Sequence, residues 1–500
     1  MAEKGKFGKR IGCLALVGVW LVVFAGMAVA YKVWVIPQYA KHATIEIPVA
    51  TPTQEYERNI RIALDDYAGY APLRSPQFRK QLAGGDIGLE LRHDSADYQA
   101  RFAALSSGEV HYATFSLDGY LRLCIEQDKV PGQIVAVLAE SSGADAIVAH
   151  SRGVPNLRAL DQADLRIVYR EGTPSEFLAR VVVASFDLPN LGDNWGEARA
   201  PTHDVLKQLR GADPSEPRAY VLWEPDLSRA LETNGIITLI DSTRMQGYIL
   251  DVLVASPDSI ADAALSRTLL SAWFSALEHL QRMGLKERIV ADSAKSGQVV
   301  DIMQARTITD GISWKSLADN RGYFDGALAG SMNKVLDVLI ETGAVAESAS
   351  PGQLALAHSG IIDALMPPAP ATEAVVVVAP PELETLTVDA WANLVEVGRA
   401  KVPPVAFARG RADISRFSLR PLDKLATTLN SWSKYYIKII GNARSEGDSE
   451  ANQALAKARA ESVRKVLIGK GVQSSRMRAE TGELTGAAAQ SVTFVLLENP

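Results

Sequence analysis

Cysteine is nearly absent: Cys13 and Cys124 are the only two in 500 residues. That pair can build neither a disulfide framework nor a cysteine-based metal site. Histidine is equally sparse. The seven histidines show no metal-ligand spacing, and no cofactor or metal is expected. Neither Gly-x-Ser-x-Gly nor His-Glu-x-x-His occurs, His93 and His111 stand away from any nucleophile motif, and the sequence predicts no enzyme. A basic excess is missing too: 52 Lys and Arg face 58 Asp and Glu, a net charge of −6, so no nucleic-acid partner is expected. With 22% charged and 47% apolar residues, the chain is not broadly disordered. Its length exceeds what one core serves, which predicts two or three domains.

One long apolar run is present. Lys4, Lys6, Lys9 and Arg10 precede residues 11–30, twenty positions without a charge, enough to cross a bilayer as a helix. Apolar character resumes after Lys32 as Val33-Trp34-Val35-Ile36. Residues 1–10 therefore read as a basic cytoplasmic end, and residues 11–37 as a single-pass inner-membrane anchor that leaves the bulk of the chain periplasmic. The small-x-small site Ala28-Val29-Ala30 offers the competing reading, a cleaved signal peptide. The run holds no carboxylate, which speaks against a proton-carrying stator helix.

Residues 43–365 alternate strand and helix patterns. Ser141-Ser142-Gly143-Ala144-Asp145 leads into the strand Ala146-Ile147-Val148-Ala149. A second strand, Leu165-Arg166-Ile167-Val168-Tyr169, ends in Glu171-Gly172-Thr173-Pro174-Ser175 ahead of a helix over 176–184. Such a turn aims backbone N–H groups and hydroxyls at a small, often anionic ligand. The strand at 219–223 ends in Trp223-Glu224-Pro225-Asp226, a stacking wall with acids beside it. Upstream, residues 44–50 alternate like a strand and a helix-like stretch follows. Next come a turn-rich aromatic loop at 67–73, strands at 87–91 and 111–115, and a helix at 98–105. The pattern predicts an α/β fold with a mostly parallel sheet and a ligand at the strands' carboxyl ends.

Taken in order, the loop at 67–73, the stretches 114–118, 143–148, 172–175 and 223–226, and Asp251-Val252-Leu253-Val254 resemble periplasmic solute-binding proteins of the taurine/nitrate/sulfonate ABC-transporter type. The resemblance implies a periplasmic binding protein type II fold with two α/β lobes. The hinge would fall near 134–137 and 248–254, and the second lobe would span about 138–247. Helices between 265 and 365 would complete the first lobe. It further implies a cleft lined by Thr51, Tyr67, Tyr70, Thr114, Asp118, Ser141, Thr173, Ser175 and Trp223. Asp145 and Asp251 read as acids that organise backbone. Relatives with a C-terminal fusion carry Trp-x-Gly-Tyr and Ser-Arg-Gly-Gly-Asp; this chain has Tyr67-Ala68-Gly69-Tyr70 and Ser141-Ser142-Gly143-Ala144-Asp145.

Residues 366–385 are proline-rich and read as an extended linker, with one short strand at 375–378, that does not fix the angle between the bodies it joins. In the last domain, residues 386–500, strands are expected at 405–407, 436–440 and 492–497, with helices at 421–432 and 452–468. Leu455, Ala458, Ser462, Val463, Val466 and Leu467 would form the buried stripe of the long helix. Gly441, Gly447, Asn452, Leu455, Arg459-Ala460, Val463, Leu467 and Gly471-Val472 keep the spacing of the OmpA-like peptidoglycan-binding domain, which this segment resembles. That family grips a free amino-acid end with an Asp and an Arg. Arg459 fills the Arg position, Arg444 stands where the family has Asp, and Asp448 and Asn452 lie on the same loop and helix start.

The expected function is a membrane-anchored receptor that captures a small organic or anionic solute by lobe closure, working with an ABC permease or another envelope membrane protein. Peptidoglycan is the partner the last domain implies. The alternative is a non-transport assembly or interaction protein with degenerate ligand and peptidoglycan sites.

Overall fold

The computed structural model describes residues 56–199, 202–297, 299–348, 356–366, 383–444, 448–485 and 492–500. The expected anchor, the strand at 44–50, Thr51, most of the proline-rich linker with its strand at 375–378, and Gly447 lie outside them. Among the described residues, no helix is long and apolar enough to cross a membrane.

The chain enters the first lobe through β1 (Arg58–Leu64), β2 (Ile87–His93) and β3 (Tyr112–Ser116), then β4 (Gln133–Ser141). It crosses to the second lobe at residues 142–144. There it lays down β5 (Asp145–His150), β6 (Arg166–Arg170), β7 (Gly196–Arg199), β8 (Arg218–Trp223) and β9 (Ile236–Asp241). It returns through β10 (Leu250–Ala255) and adds β11 (Ile312–Trp314). The first sheet has the order β11-β4-β10-β3-β1-β2 and the second β7-β6-β8-β5-β9.

Two sequence expectations change here. Both sheets are mixed rather than mostly parallel. β1 runs parallel to β2 and β3, but β10 is antiparallel to β3 and β4, because a strand that returns from the other lobe arrives from the opposite direction. The stretch after Thr53, expected to be helix-like, contains β1. Ile60, Ile62 and Leu64 face one core of the first lobe while Ala63 faces the other, a period of two. The first crossing also falls later than expected: residues 134–137 lie inside β4.

Each face of the first sheet is covered. On one side the helix Ala263–Met283 buries Leu269, Leu270, Trp273, Ala276, Leu277 and Leu280, a stripe at helical spacing. On the other side Phe102, Phe115 and Tyr120 pack together, and the helix Leu328–Glu341 lies against the helices Leu117–Glu126 and Pro174–Ser185, one from each lobe. Cys124 is buried and free.

The last domain is a four-stranded sheet, order β12-β15-β13-β14, built from β12 (Val395–Arg399), β13 (Tyr436–Arg444), β14 (Met477–Thr485) and β15 (Val492–Glu498). The helix Ser449–Gly469 packs on it, and the helix Leu419–Ser431 packs against that helix. Residues 405–407 do not form the expected strand; Phe407 makes only a bridge to Ile414, and the edge position is taken by β12. The buried stripe of the long helix also differs. Ala456, Ala460, Val463 and Leu467 are buried, while Ala458 is exposed. A Cβ on Gly441 would stand 2.0 Å from the Ala456 carbonyl oxygen, so the helix comes close to β13 along a seam of small residues, where longer side chains do not fit.

This domain is docked, not free on a tether as the linker's composition suggested. Phe186, just past the helix Pro174–Ser185, stacks on Trp432 (centroids 5.1 Å apart, interplanar angle 25°). Backbone bonds run from Lys401 N to Ser185 O (2.8 Å) and from Asp187 N to Arg399 O (2.9 Å). Ion pairs join Lys424 to Glu341 and Arg244 to Glu498, both at 2.8 Å. The contacts reach the second lobe and the helix Leu328–Glu341 alike.

Candidate functional site

The carboxyl ends of β1, β6 and β8 and the start of β10 meet in a cavity of about 340 Å³ between the lobes, at the lower end of the ~300–1,000 Å³ typical of small-molecule sites. Tyr67, Tyr98 and Trp223 give it aromatic walls, and Asp65, Asp145, Arg170, Glu224 and Asp251 bring charge. The lobes touch at its rims. Arg170 of the second lobe donates to the Ser95 carbonyl of the first (2.5 Å), Arg229 to the Val299 carbonyl (3.2 Å), and Arg122 pairs with Glu176 (3.1 Å). These contacts bridge the two lobes.

Four of the expected residues line it: Tyr67, Tyr70, Thr173 and Trp223. Tyr67 sits edge-on to Tyr70 at 5.3 Å, and the Arg170 guanidinium lies 5.9 Å over the Trp223 ring. The Tyr70 hydroxyl donates to Asp251 (2.8 Å). The other described candidates stand behind the wall. Thr114 accepts from Arg101 through its carbonyl (2.6 Å). Ser141 donates to Asp145 (2.5 Å), and Ser175 accepts from the Arg170 N–H (3.1 Å). Asp118 lines a small separate recess that shares Thr173 with the cleft. The turn 172–175 does not offer the donors its sequence suggested. Gly172 N–H is taken by Glu176 (2.7 Å) and the Thr173 hydroxyl by the Arg170 carbonyl (2.8 Å).

Several lining residues escaped the sequence reading, chiefly Asp65, Ser95, Ala96 and Arg170, and Asp145 and Asp251, expected to organise backbone, line the cleft and accept from the Ser141 and Tyr70 hydroxyls. Beneath them, Arg101 is buried and gathers the wall. It pairs with Asp65 at 2.9 Å and with Asp94, and its guanidinium lies 4.8 Å over the Tyr98 ring. Ser95 and Ala96 hold φ of 55° and 61°, left-handed conformations that non-glycine residues adopt only under local constraint. The Asp94 carboxylate supplies it by accepting the Ala96 N–H (3.0 Å).

Burial dominates the acids. It pushes the Asp145 carboxyl up to about 7, against the Ser141 hydrogen bond and with help from the charges of Asp118 and Glu224. Burial likewise raises Asp251 well above the usual range, and Asp118 to about 6. A carboxyl that holds its proton more tightly folded than unfolded costs the fold stability as pH rises from its unfolded value, ~3.9, through its folded one. The ligand-free protein is therefore expected to lose stability as pH rises from about 4 to about 7. Asp145→Asn should flatten part of that slope, as read by denaturant unfolding of both proteins across the window.

Against known proteins, the last domain is placed first. Residues 406–492 match the OmpA family. A search of curated protein sequences finds no match. Among solved structures, the chain is similar to the periplasmic aliphatic sulphonate binding protein SsuA from Escherichia coli (16% identity, TM-score 0.47, 59% of this chain and 96% of that one). It is also similar to the alkanesulfonate-binding protein SsuA from Xanthomonas axonopodis pv. citri bound to MOPS (14%, 0.44, 58% and 94%). A third is the periplasmic nitrate-binding protein NrtA from Synechocystis PCC 6803 (11%, 0.40, 62% and 98%).

Within the OmpA match, Asp448 and Arg459 stand apart on the long helix. Asp448 is the N-cap of the helix Ser449–Gly469 and accepts from Glu450 N and Ala451 N (3.0 and 3.2 Å). Asn452 lies in the first turn of that helix. Arg459 is eleven residues beyond Asp448, about 16 Å along the helix. Its guanidinium donates to the Arg411 carbonyl (3.1 Å) and covers the Phe407 ring at 5.0 Å.

Proposed function

We propose that the chain is a solute-binding protein of the cell envelope, whose two α/β lobes close on a small organic solute. The observation that carries this reading is the 340 Å³ cavity between the lobes, with aromatic walls and converging polar groups. Tyr67, Tyr70, Thr173 and Trp223 contact the solute; Thr114, Asp118, Ser141 and Ser175 support the wall behind them. Residues 11–37 anchor the protein in the inner membrane with its bulk periplasmic, and an envelope permease receives the solute. Residues 386–500 serve envelope attachment, with Arg459, Asn452 and Asp448 as the peptidoglycan-facing residues. No step of this function is catalytic.

Native mass spectrometry of the full chain, isolated gently from the envelope, tests the reading. A small-molecule adduct should accompany the folded protein and be released on denaturation. Trp223→Ala should weaken it, since an aromatic face in a desolvated pocket contributes about 0.5–1.5 kcal/mol, up to about tenfold in affinity. A folded protein without an adduct, and without response to added solutes, would count against it.

Two observations favour a second reading, an interaction module without transport. The OmpA-type domain is packed on the lobes through Phe186 and Trp432, and Arg459 is engaged within its own domain. Pull-down of a stoichiometric envelope protein by a variant with a blocked cleft would select it.

A further inference from the structure

The lining of the cleft holds six carboxylates and one guanidinium among the described residues. Three of the acids are paired: Asp65 with Arg101 (2.9 Å), Asp66 with His93 (3.2 Å) and Asp226 with Arg229 (2.9 Å). The other three carry no ion pair among the described residues. Asp145 accepts from the Ser141 hydroxyl, Asp251 from Tyr70 and Glu224 from the Ser228 hydroxyl. Asp145 and Asp251 are 3% and 4% exposed. Asp118 stands close enough to repel both. It is 5% exposed, and one of its oxygens has no hydrogen-bond partner among the described residues.

Buried carboxylates are unfavourable unless protonated or met by a cation. The walls beside them suit a cation as well. The Trp223 face already takes the chain's own Arg170 guanidinium, and aromatic faces attract positive charge. Tyr67 lines the cavity with a hydroxyl that has no partner among the described residues. Donors for an anion are few: the Gly172 N–H and the Thr173 hydroxyl are used within their own turn, and the one lining guanidinium, Arg170, donates to the Ser95 carbonyl.

We propose that the cleft binds a small organic cation, its ammonium or guanidinium group held by Asp145 and Asp251 and its carbon skeleton packed between Tyr67 and Trp223. The proposal rests on the solute-binding reading and narrows it to one charge class, against the anionic half of the sequence expectation. Binding then depends on pH. Asp145 faces Ser141, Asp118 and Glu224, while Asp251 faces Tyr70, Asp65, Asp118 and Asp145, with Asp65 held by Arg101. In the empty cleft burial favours their protonated forms, so a cation must displace protons and binds more tightly as pH rises.

Calorimetric titration of the full chain tests this with choline, putrescine and agmatine, with the uncharged choline isostere 3,3-dimethyl-1-butanol, and with nitrate and ethanesulfonate. At least one cation is expected to bind, about tenfold or more tighter than the uncharged isostere, a difference ordinary for one close charge contact. It should weaken from about pH 8 to about pH 6 and release protons on binding. Asp145→Asn, which keeps the size of the side chain and removes only its charge, should cost the cation about tenfold while the protein stays folded. Binding of an anion or the isostere in preference to every cation would overturn the cation and leave the solute receptor standing. Unchanged cation affinity in Asp145→Asn would also overturn the proposal. No binding by any probe would overturn the proposal and the solute-binding reading together.

Discussion

Replacing Arg101 with methionine is expected to destabilise the protein by about 3–5 kcal/mol, the usual cost of leaving a buried ion pair half-removed. The side chain is fully buried and donates to Asp65, to Asp94 and to the Thr114 carbonyl. Methionine fills much of the same space but leaves two acids in the wall without their cation. The charges of Asp65 and Asp94 and the Asp94 hydrogen bonds hold Arg101 protonated despite its burial, so no milder protonation state is available to the wild type. Chemical denaturation at neutral pH reads the loss directly. Because Asp65 and Asp94 also fix the Tyr67 loop and the Ser95–Ala96 rim through Tyr67 N and Ala96 N, the variant should lose solute affinity even where it remains folded. A loss below about 1 kcal/mol would mean that water replaces the guanidinium.

The second large effect is expected at Trp432, one of the largest fully buried side chains. Trp432→Ala removes a ring packed between Phe186 and Tyr435 and should cost about 3–5 kcal/mol. Since Phe186 belongs to the second lobe, the variant should also separate what the wild type couples. Calorimetry is expected to show one cooperative transition in the wild type and two in the variant, the OmpA-type domain melting first. Trp432→Phe should be much milder. It retains a ring against Phe186 and removes an indole N–H that has no hydrogen-bond partner among the described residues. If Trp432→Ala still melts in a single step, the contacts through Lys401, Asp187 and Arg244 couple the bodies without the ring stack.

Local pattern carried much of the architecture. Alternating apolar residues announce β2 and β13, a continuous apolar run announces β8, and helical spacing announces the helix Leu419–Ser431, because those patterns are properties of the chain itself. Where the sequence misled, tertiary contact had decided. Ala456 and Ala460 look too small to matter until Gly441 lets the helix approach the sheet. Arg101 reads as an ordinary charged position on the helix Tyr98–Ser106, and only the arrangement of Asp65, Asp94 and Thr114 around it makes it a core residue. The cleft shows the same divide. Tyr67, Tyr70 and Thr173 sit in turns and Trp223 ends β8 beside one, places whose local chemistry marks them as functional, and all four line the cavity. Asp65, Ser95 and Arg170 follow or end strands in polar stretches, where nothing local distinguishes a cleft acid or base from a solvated one. The charge of the site was therefore the least legible feature, because it is a sum over residues far apart in sequence.

The measurement that tests the account most directly is thermal unfolding of the full chain against matched sets of organic cations, oxyanions, sulfonates and uncharged analogues. A ligand that binds only the folded protein and is present at about 100 times its dissociation constant adds ~2.7 kcal/mol of stability. An upward shift of the melting temperature with one or more cations, roughly halved in Trp223→Ala by a tenfold loss of affinity, is the result the account predicts. Identical melting curves with every class would contradict a closing solute cleft and leave the lobes as a scaffold for the docked domain.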